Sequence, residues 1–314
     1  GTMGLVQRAG IERLRHAKRY SRQHSTICTK LVATGWKAAC GARRGPDARE
    51  MVESDLIVMW GGNPVSTQVN VMNWIAKARK ARGAKLVVVD PYRTGTAEQA
   101  DMHLALKPGT DGALAAAVIS VLLAEGYADR AYLAKYSDWD AALEAHFAAC
   151  TPAWAAEITG LTEAEIVAFA RLYGQTRRSY IRVGYGFSRA RNGSSSVHAV
   201  ACLPTVTGAW QYPGGGAMQA QGEVYGLDET LIQGLDVQDK ATRLLDQSRI
   251  GPILVGDKRD LGDGPPVTAL FIQNTNPMVV CPEHAKVAEG FARPDLFTCV
   301  HEQFMTETAA MADI

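Results

Sequence analysis

The chain has 314 residues, a formal net charge of +1, a hydrophobic fraction of 47% and 21% charged residues, the composition of ordinary globular material long enough for two domains. So even a charge leaves no footprint for nucleic acid or an anionic membrane surface, and no apolar run approaches the ~18–20 residues of a membrane span. Cys28, Cys40, Cys150, Cys202, Cys281 and Cys299 form no C-x-x-C pair, which argues against a disulfide framework or a zinc knuckle and for a reducing, cytoplasmic setting without a leader peptide.

In chain order, residues 4–20 have a helical pattern with a basic face of Arg8, Arg13, Arg15, Lys18 and Arg19, readable as a solvated surface or as a phosphate site. Cys28 and the pair Gly35-Trp36 follow. The stretch from Asp55 to Asp101 is the most informative of the first half. It reads as an apolar strand to Trp60, a loop Gly61-Gly-Asn-Pro64, a helix over about 69–81, and a second apolar strand closed by Asp90. Continuous aliphatic runs fit strands covered on both faces, as in parallel sheets with crossover helices. Glycines at such a turn let backbone approach a pyrophosphate, and an acid after the second strand can bind ribose hydroxyls. The loop lacks the G-x-G-x-x-G fingerprint, so alone it is a weak signal and speaks against a two-site NAD(P) enzyme.

Lys107-Pro-Gly-Thr-Asp111 opens a long Ala/Leu/Val helix to about 125, with Asp111 expected at the N-cap and Gly126 just past the end. Helices are expected over 129–136, 139–149 and 162–173, the last with the capping-box spacing Thr162/Glu165. A strand over 179–183 runs into Gly184-Tyr-Gly-Phe-Ser-Arg-Ala-Arg-Asn-Gly193, followed by a helix that carries His198 and continues through Pro204. Gly214–Gly216 is read as backbone freedom or close approach, without structure of its own, and 256–266 as the most loop-like stretch.

The C-terminal segment repeats the first module. Thr268 to Pro277 is again an apolar strand, two residues and Asn-Pro, and a second strand ends in His301-Glu302. The tails 90–101 and 302–313 align without gaps, with identities at Thr94/Thr306, Thr96/Thr308, Ala97/Ala309, Ala100/Ala312 and Asp101/Asp313. Either a scaffold was duplicated without shared function, or the chain holds two equivalent nucleotide sites.

Two nucleotide modules in one chain call for a ligand with two nucleotide arms, or for two ligands. Together with Cys28, Trp60-Gly-Gly-Asn-Pro64, Asp90-Pro-Tyr-Arg-Thr94, Asn274-Thr-Asn-Pro277 and Glu307-Thr-Ala-Ala-Met-Ala-Asp313, the arrangement resembles the molybdopterin oxidoreductase (dimethyl sulfoxide reductase) family over nearly the whole chain. The resemblance implies an α/β fold of two related Rossmann-like parallel-sheet domains with covering helices, pseudo-twofold related. Residues 1–45 with 180–314 would form the domain carrying the metal ligand and one cofactor arm, and 46–179 an inserted domain binding the other.

It also implies a bis-molybdopterin guanine dinucleotide cofactor with molybdenum or tungsten, bound to Cys28 and catalysing two-electron oxygen-atom or hydride-type transfer on a small molecule. A soft thiolate suits a metal already held by pterin dithiolenes. Gly61, Gly62, Asn63, Asp90, Arg93, Gly109 and Asp111 would serve one arm, and Asn274, Asn276, His301 and Glu302 the other. His198 would hydrogen-bond or carry a proton near the metal, or else be a satisfied core histidine. Formate is not favoured: Thr29 stands where formate dehydrogenases of the family commonly have histidine, and His198 near where they carry an arginine. An iron–sulfur domain before residue 1 and a pterin-covering domain after residue 314 are expected, making this an internal fragment, inactive alone, with a redox partner protein or subunit. The alternative is a non-catalytic electron-transfer scaffold of the respiratory complex I type, which has no need of Cys28 or of the acid pair Asp90/Glu302.

Overall fold

The structure, a computed structural model, describes residues 9–24 and 27–314. The chain divides into two compact units, Cys28–Gly226 and Gly1–Ile27 with Leu227–Ile314. Of the helix expected over 4–20, Glu12–Ala17 is helical, while residues 4–8, Arg8 among them, lie outside the described residues.

The larger unit runs α1 (Lys30–Cys40), β1 (Leu56–Trp60), α2 (Val69–Arg82), β2 (Lys85–Val89), β3 (Met102–Leu104), α3 (Asp111–Ala124), α4 (Glu163–Gln175), β4 (Ser179–Val183), α5 (Gly193–Val206) and β5 (Gly216–Met218), with shorter helices between α3 and α4. Its strands pair in parallel in the order β3-β2-β1-β4-β5. Leu56 lies opposite Lys85 and Ser179, and Trp60 opposite Val89 and Val183. Every residue of β1 and β4 is buried, as continuous apolar strands require. Alternation splits their side chains between two cores. Leu56, Val58 and Trp60 pack with α3, α4 and α5, whereas Ile57 and Met59 pack with Val71, Ile75 and Ala78 of α2. Helix α3 is apolar all round and is buried from Leu114 to Leu122. The capping box of Thr162 and Glu165 starts α4 as expected.

The smaller unit carries α6 (Ile250–Leu254), β6 (Ala269–Gln273), α7 (His284–Phe291) and β7 (Phe297–His301). Strands β6 and β7 are parallel, from Ala269 opposite Phe297 to Gln273 opposite His301. Leu254, Ile272, Val287 and Phe291 form its core. Arg22–Gln23 and Leu244–Leu245 make a further short parallel pair. Among the described residues this is one βαβ half, smaller than the full second domain expected.

The units meet in sequence at 27/28 and 226/227, not at 45 and 180, because β4 pairs with β1 over its whole length and α1 lies against α5. A Cβ on Gly35 would stand 2.1 Å from Ser194 O. The Gly214–Gly216 run leads into β5 and makes the close approach expected of it, a Cβ on Gly215 lying 2.2 Å from Ala209 O, and the loop over 256–266 contains the helical turn Lys258–Leu261.

The strand order reverses between β1 and β4, and in open parallel sheets the crevice beyond the carboxyl ends at such a point takes ligands. Here the backbone is packed to contact. Gly184 N donates to Trp60 O at 2.7 Å and Gly186 N to Gly61 O at 2.9 Å, and Gly61 has φ +66. A Cβ on Gly184 would lie 2.0 Å from Gly61 O. Gly184→Ala is therefore expected to lower stability by about 1–3 kcal/mol, the usual scale of overpacking. Urea or thermal unfolding checks this; an unchanged midpoint would mean the loop yields freely.

Candidate functional site

In the larger unit the residues after β4 gather several of the sequence-predicted positions. The turn 186–189 and the start of α5 put Arg189 Nη2 3.5 Å from the sulfur of the exposed Cys28. Asn192 Nδ2 donates to Gly109 O at 2.8 Å. Gly109 has φ +81, and a Cβ there would meet Ala190 Cβ at 3.1 Å, so a side chain is disfavoured on two grounds. On the other flank Phe187 packs against Gly61 and lies 6.4 Å from the ring of Trp60. Cys28, Gly61, Gly62 and Gly109 thus share one hub, residues 184–193. The sequence reading had noted this Gly-x-Gly stretch without assigning it to the site.

Asp111 differs from expectation in its local role. Thr110 is the N-cap and Asp111 the first helical residue, a shift of one set by the tight turn in which Thr110 Oγ1 donates to Lys107 O at 2.6 Å. Freed from capping, the Asp111 carboxylate accepts from Trp60 Nε1 at 2.9 Å. Burial raises its pKa above the ordinary carboxylate value, the indole bond opposes that, and the Asp90 charge adds to it. Asp90 is raised as well, again by burial, with the Tyr92 backbone N–H and His103 pulling the other way. Two carboxylates thus share the crevice. Arg93 is exposed, and no ion pair is seen for it among the described residues.

The Asn-Pro loops follow one plan in both units. Thr96 Oγ1 donates to Asn63 Oδ1 at 2.7 Å, and Thr308 Oγ1 donates to Asn276 Oδ1 at 2.6 Å. The same hydroxyls accept from Val65 N at 3.2 Å and Met278 N at 3.1 Å. Gly61 N donates to Val89 O at 2.9 Å, and Asn274 N donates to His301 O at 3.1 Å. The carboxylates that end the tails, Asp101 and Asp313, accept from Leu86 N at 2.8 Å and Thr298 N at 2.7 Å. Even the left-handed turn recurs, at Gly61 with φ +66 and at Asn274 with φ +51. Asn274, Asn276, His301 and Glu302 are therefore held together in the smaller unit as Gly61, Asn63 and Asp90 are in the larger. The carboxamides of Asn63 and Asn276 brace their loops, so it is chiefly backbone that these turns present outward.

His198 is exposed on α5, which removes the satisfied-core alternative, and no hydrogen bond links it to Cys28 among the described residues. Burial pushes the Cys150 thiol up and the Cys202 thiol to about 12, in keeping with a packing role. Among the described residues no group of three or more His, Cys, Asp or Glu could hold a metal ion, and no helix is long and apolar enough to cross a membrane.

The family model described as molybdopterin oxidoreductase matches residues 5–314. The chain is 38% identical over its whole length to a probable oxidoreductase, YoaE, of Bacillus subtilis, covering 45% of that protein. It is 28% identical over 91% of its length to the F420-dependent formate dehydrogenase subunit alpha of Methanocaldococcus jannaschii, covering 45% of it. It is 29% identical over 93% to a nitrate reductase of Klebsiella oxytoca, covering 35%. The chain thus spans less than half the length of these relatives. In fold it is similar to acetylene hydratase from Pelobacter acetylenicus, with a TM-score of 0.75 at 19% identity over 97% of the chain and 46% of that protein.

Asp111→Asn keeps an acceptor for Trp60 and removes a buried charge. Because the folded pKa is raised, ionising Asp111 lowers stability, and the penalty sets in as pH rises from the ordinary carboxylate range through the raised value. The Asn variant should therefore melt higher than the parent at pH 7 and alike near pH 3–4. Melting curves across this range check the sign; a variant less stable at pH 7 would contradict it.

Proposed function

Because the chain belongs to the molybdopterin oxidoreductase family, we propose that its two Asn-Pro loops hold the two guanine dinucleotide arms of a bis-molybdopterin cofactor and that Cys28 is the protein ligand of its molybdenum or tungsten. The observation that carries this reading is the repetition of the loop bonds, Thr96 on Asn63 and Thr308 on Asn276. Two turns built alike at the carboxyl ends of parallel strands suit two like phosphate-bearing arms.

The residues present fit such a group. Cys28 would be a single soft ligand, of the kind that suits a metal otherwise held by a cofactor's sulfurs. Arg189 sets a positive partner against the Cys28 sulfur. At Gly61, Gly62 and Gly184 backbone lies against backbone, so the strand ends would offer a pyrophosphate main chain rather than side chains. Asp90 and Asp111 offer acceptors to ribose hydroxyls and to the N–H edge of guanine, and Arg93 is free to meet phosphate.

When bound, the cofactor supplies two-electron redox chemistry, of the oxygen-atom or hydride-transfer type, while the protein supplies orientation and electrostatics. His198, exposed on α5, is available to carry a proton for a small-molecule substrate. The formate dehydrogenase relative is by its name one subunit of an assembly, and a redox partner for the present protein is proposed on that likeness. A non-catalytic scaffold has no use for an exposed thiol faced by a guanidinium, which favours the enzyme.

Cys28→Ala is expected to remove one sulfur from the metal's coordination shell, read by X-ray absorption, and to reduce turnover to background. A variant with unchanged coordination and turnover would refute the assignment of Cys28.

A further inference from the structure

We propose that the two loops grip their nucleotides by different chemistry, charge in the larger unit and apolar stacking in the smaller, an inference that rests on reading both loops as nucleotide arms. Because the loop bonds recur one for one, residues at matched positions face matched parts of their ligands. The position two residues after the strand-closing acid is aromatic in both copies, and exposed in both: Tyr92 is 67% exposed and Phe304 is 76% exposed. A single exposed aromatic is ordinary surface. The same position left bare twice, beside the acid placed to meet ribose or guanine, is a stacking platform for a purine, whose face any aromatic ring accepts.

One residue further on, the loops diverge. The larger unit has Arg93, a permanent planar cation suited to phosphate. The smaller has Met305, 83% exposed, a flexible and polarisable thioether that adapts to an aromatic face. The surrounding charge reinforces the contrast. Asp90 to Gly95 holds one acid and one base, whereas Glu302 to Glu307 holds two acids and no base. In the smaller unit Glu307 Oε2 accepts from Asn276 Nδ2 at 2.7 Å, so that acid stands on the loop itself. A nucleotide there meets no side-chain cation from this segment and relies on backbone N–H groups and on Phe304 with Met305. The smaller loop selects for the base and the larger for base and charge together.

The test is calorimetric titration of GDP into apoprotein from a host that makes no molybdopterin, at about 0.05 M and about 1 M NaCl, between which screening lengths fall several-fold. Two GDP per chain are expected. High salt should weaken one site about tenfold and leave the other within about twofold, as one exposed cation and one apolar stack would respond. Phe304→Ala should abolish the salt-insensitive site and leave the other, Arg93→Met should make both sites salt-insensitive, and Met305→Arg should make both salt-sensitive. All three positions are exposed, so folding is not at stake. Two sites with the same salt response in the parent, or full binding at both sites in the Phe304 variant, would overturn the inference while leaving the nucleotide arms in place. Absence of GDP binding at either site would instead remove the nucleotide-arm reading, and this inference with it.

Discussion

A threonine hydroxyl buried against an asparagine carboxamide holds each loop of this protein in shape. Thr96 and Thr308 are fully buried, and each donates to its asparagine while accepting from the backbone two residues beyond that asparagine. A buried hydroxyl left without partners costs about 1–3 kcal/mol, so the three groups specify one another's positions. The bond ties the strand-end turn to a tail some thirty residues later in sequence, and the tail's terminal aspartate is locked onto the second strand. Strand, turn, second strand and tail thereby form one closed unit.

The candidate site of the larger unit runs against stability. Asp90 and Asp111 are both held where burial disfavours their charge, and the Asp90 charge adds to the cost at Asp111. Against this stand the Trp60 indole N–H and a backbone N–H at Asp111, and the Tyr92 backbone N–H and His103 at Asp90. Arg93, which could offset them, points to solvent instead. Such an arrangement is expected where charged groups are kept for a ligand rather than for the fold. The close packing of Gly184 on Gly61 works in the other direction, fixing the crevice between β1 and β4 so that its floor is backbone. Rigid glycine floor and strained acid walls suit a large, rigid, hydrogen-bonding ligand.

Much of this was legible from residue order alone. The apolar runs 56–60, 85–89 and 179–183 are strands, and α2 and α3 span Val69–Arg82 and Asp111–Ala124, close to where periodicity and capping signals placed them. The internal duplication was visible because five tail residues are identical, and those residues turn out to carry the repeated bonds: Thr94 and Thr306, Thr96 and Thr308, Asp101 and Asp313. The hub at 184–193 was not legible as a site, because its role lies in what it touches, Cys28, Gly61 and Gly109, from distant parts of the chain. The one-residue shift of Asp111 from cap to first turn follows from the local Thr110–Lys107 turn, but the partner its carboxylate then finds, Trp60, lies fifty-one residues away. The short strand at Gly216 carries no propensity signal and exists because β4 offers it an edge.

The sequence by itself determined the local elements, the repeat and the family to which the chain belongs, since these depend on periodicity, turn chemistry and identity at matched positions. The tertiary structure decided which unit each segment joins, that Arg189 faces Cys28, that Asp111 answers to Trp60, and that His198 is exposed. The physical reason is that these are outcomes of strand order and close backbone packing between segments far apart in the chain, and no local preference encodes them.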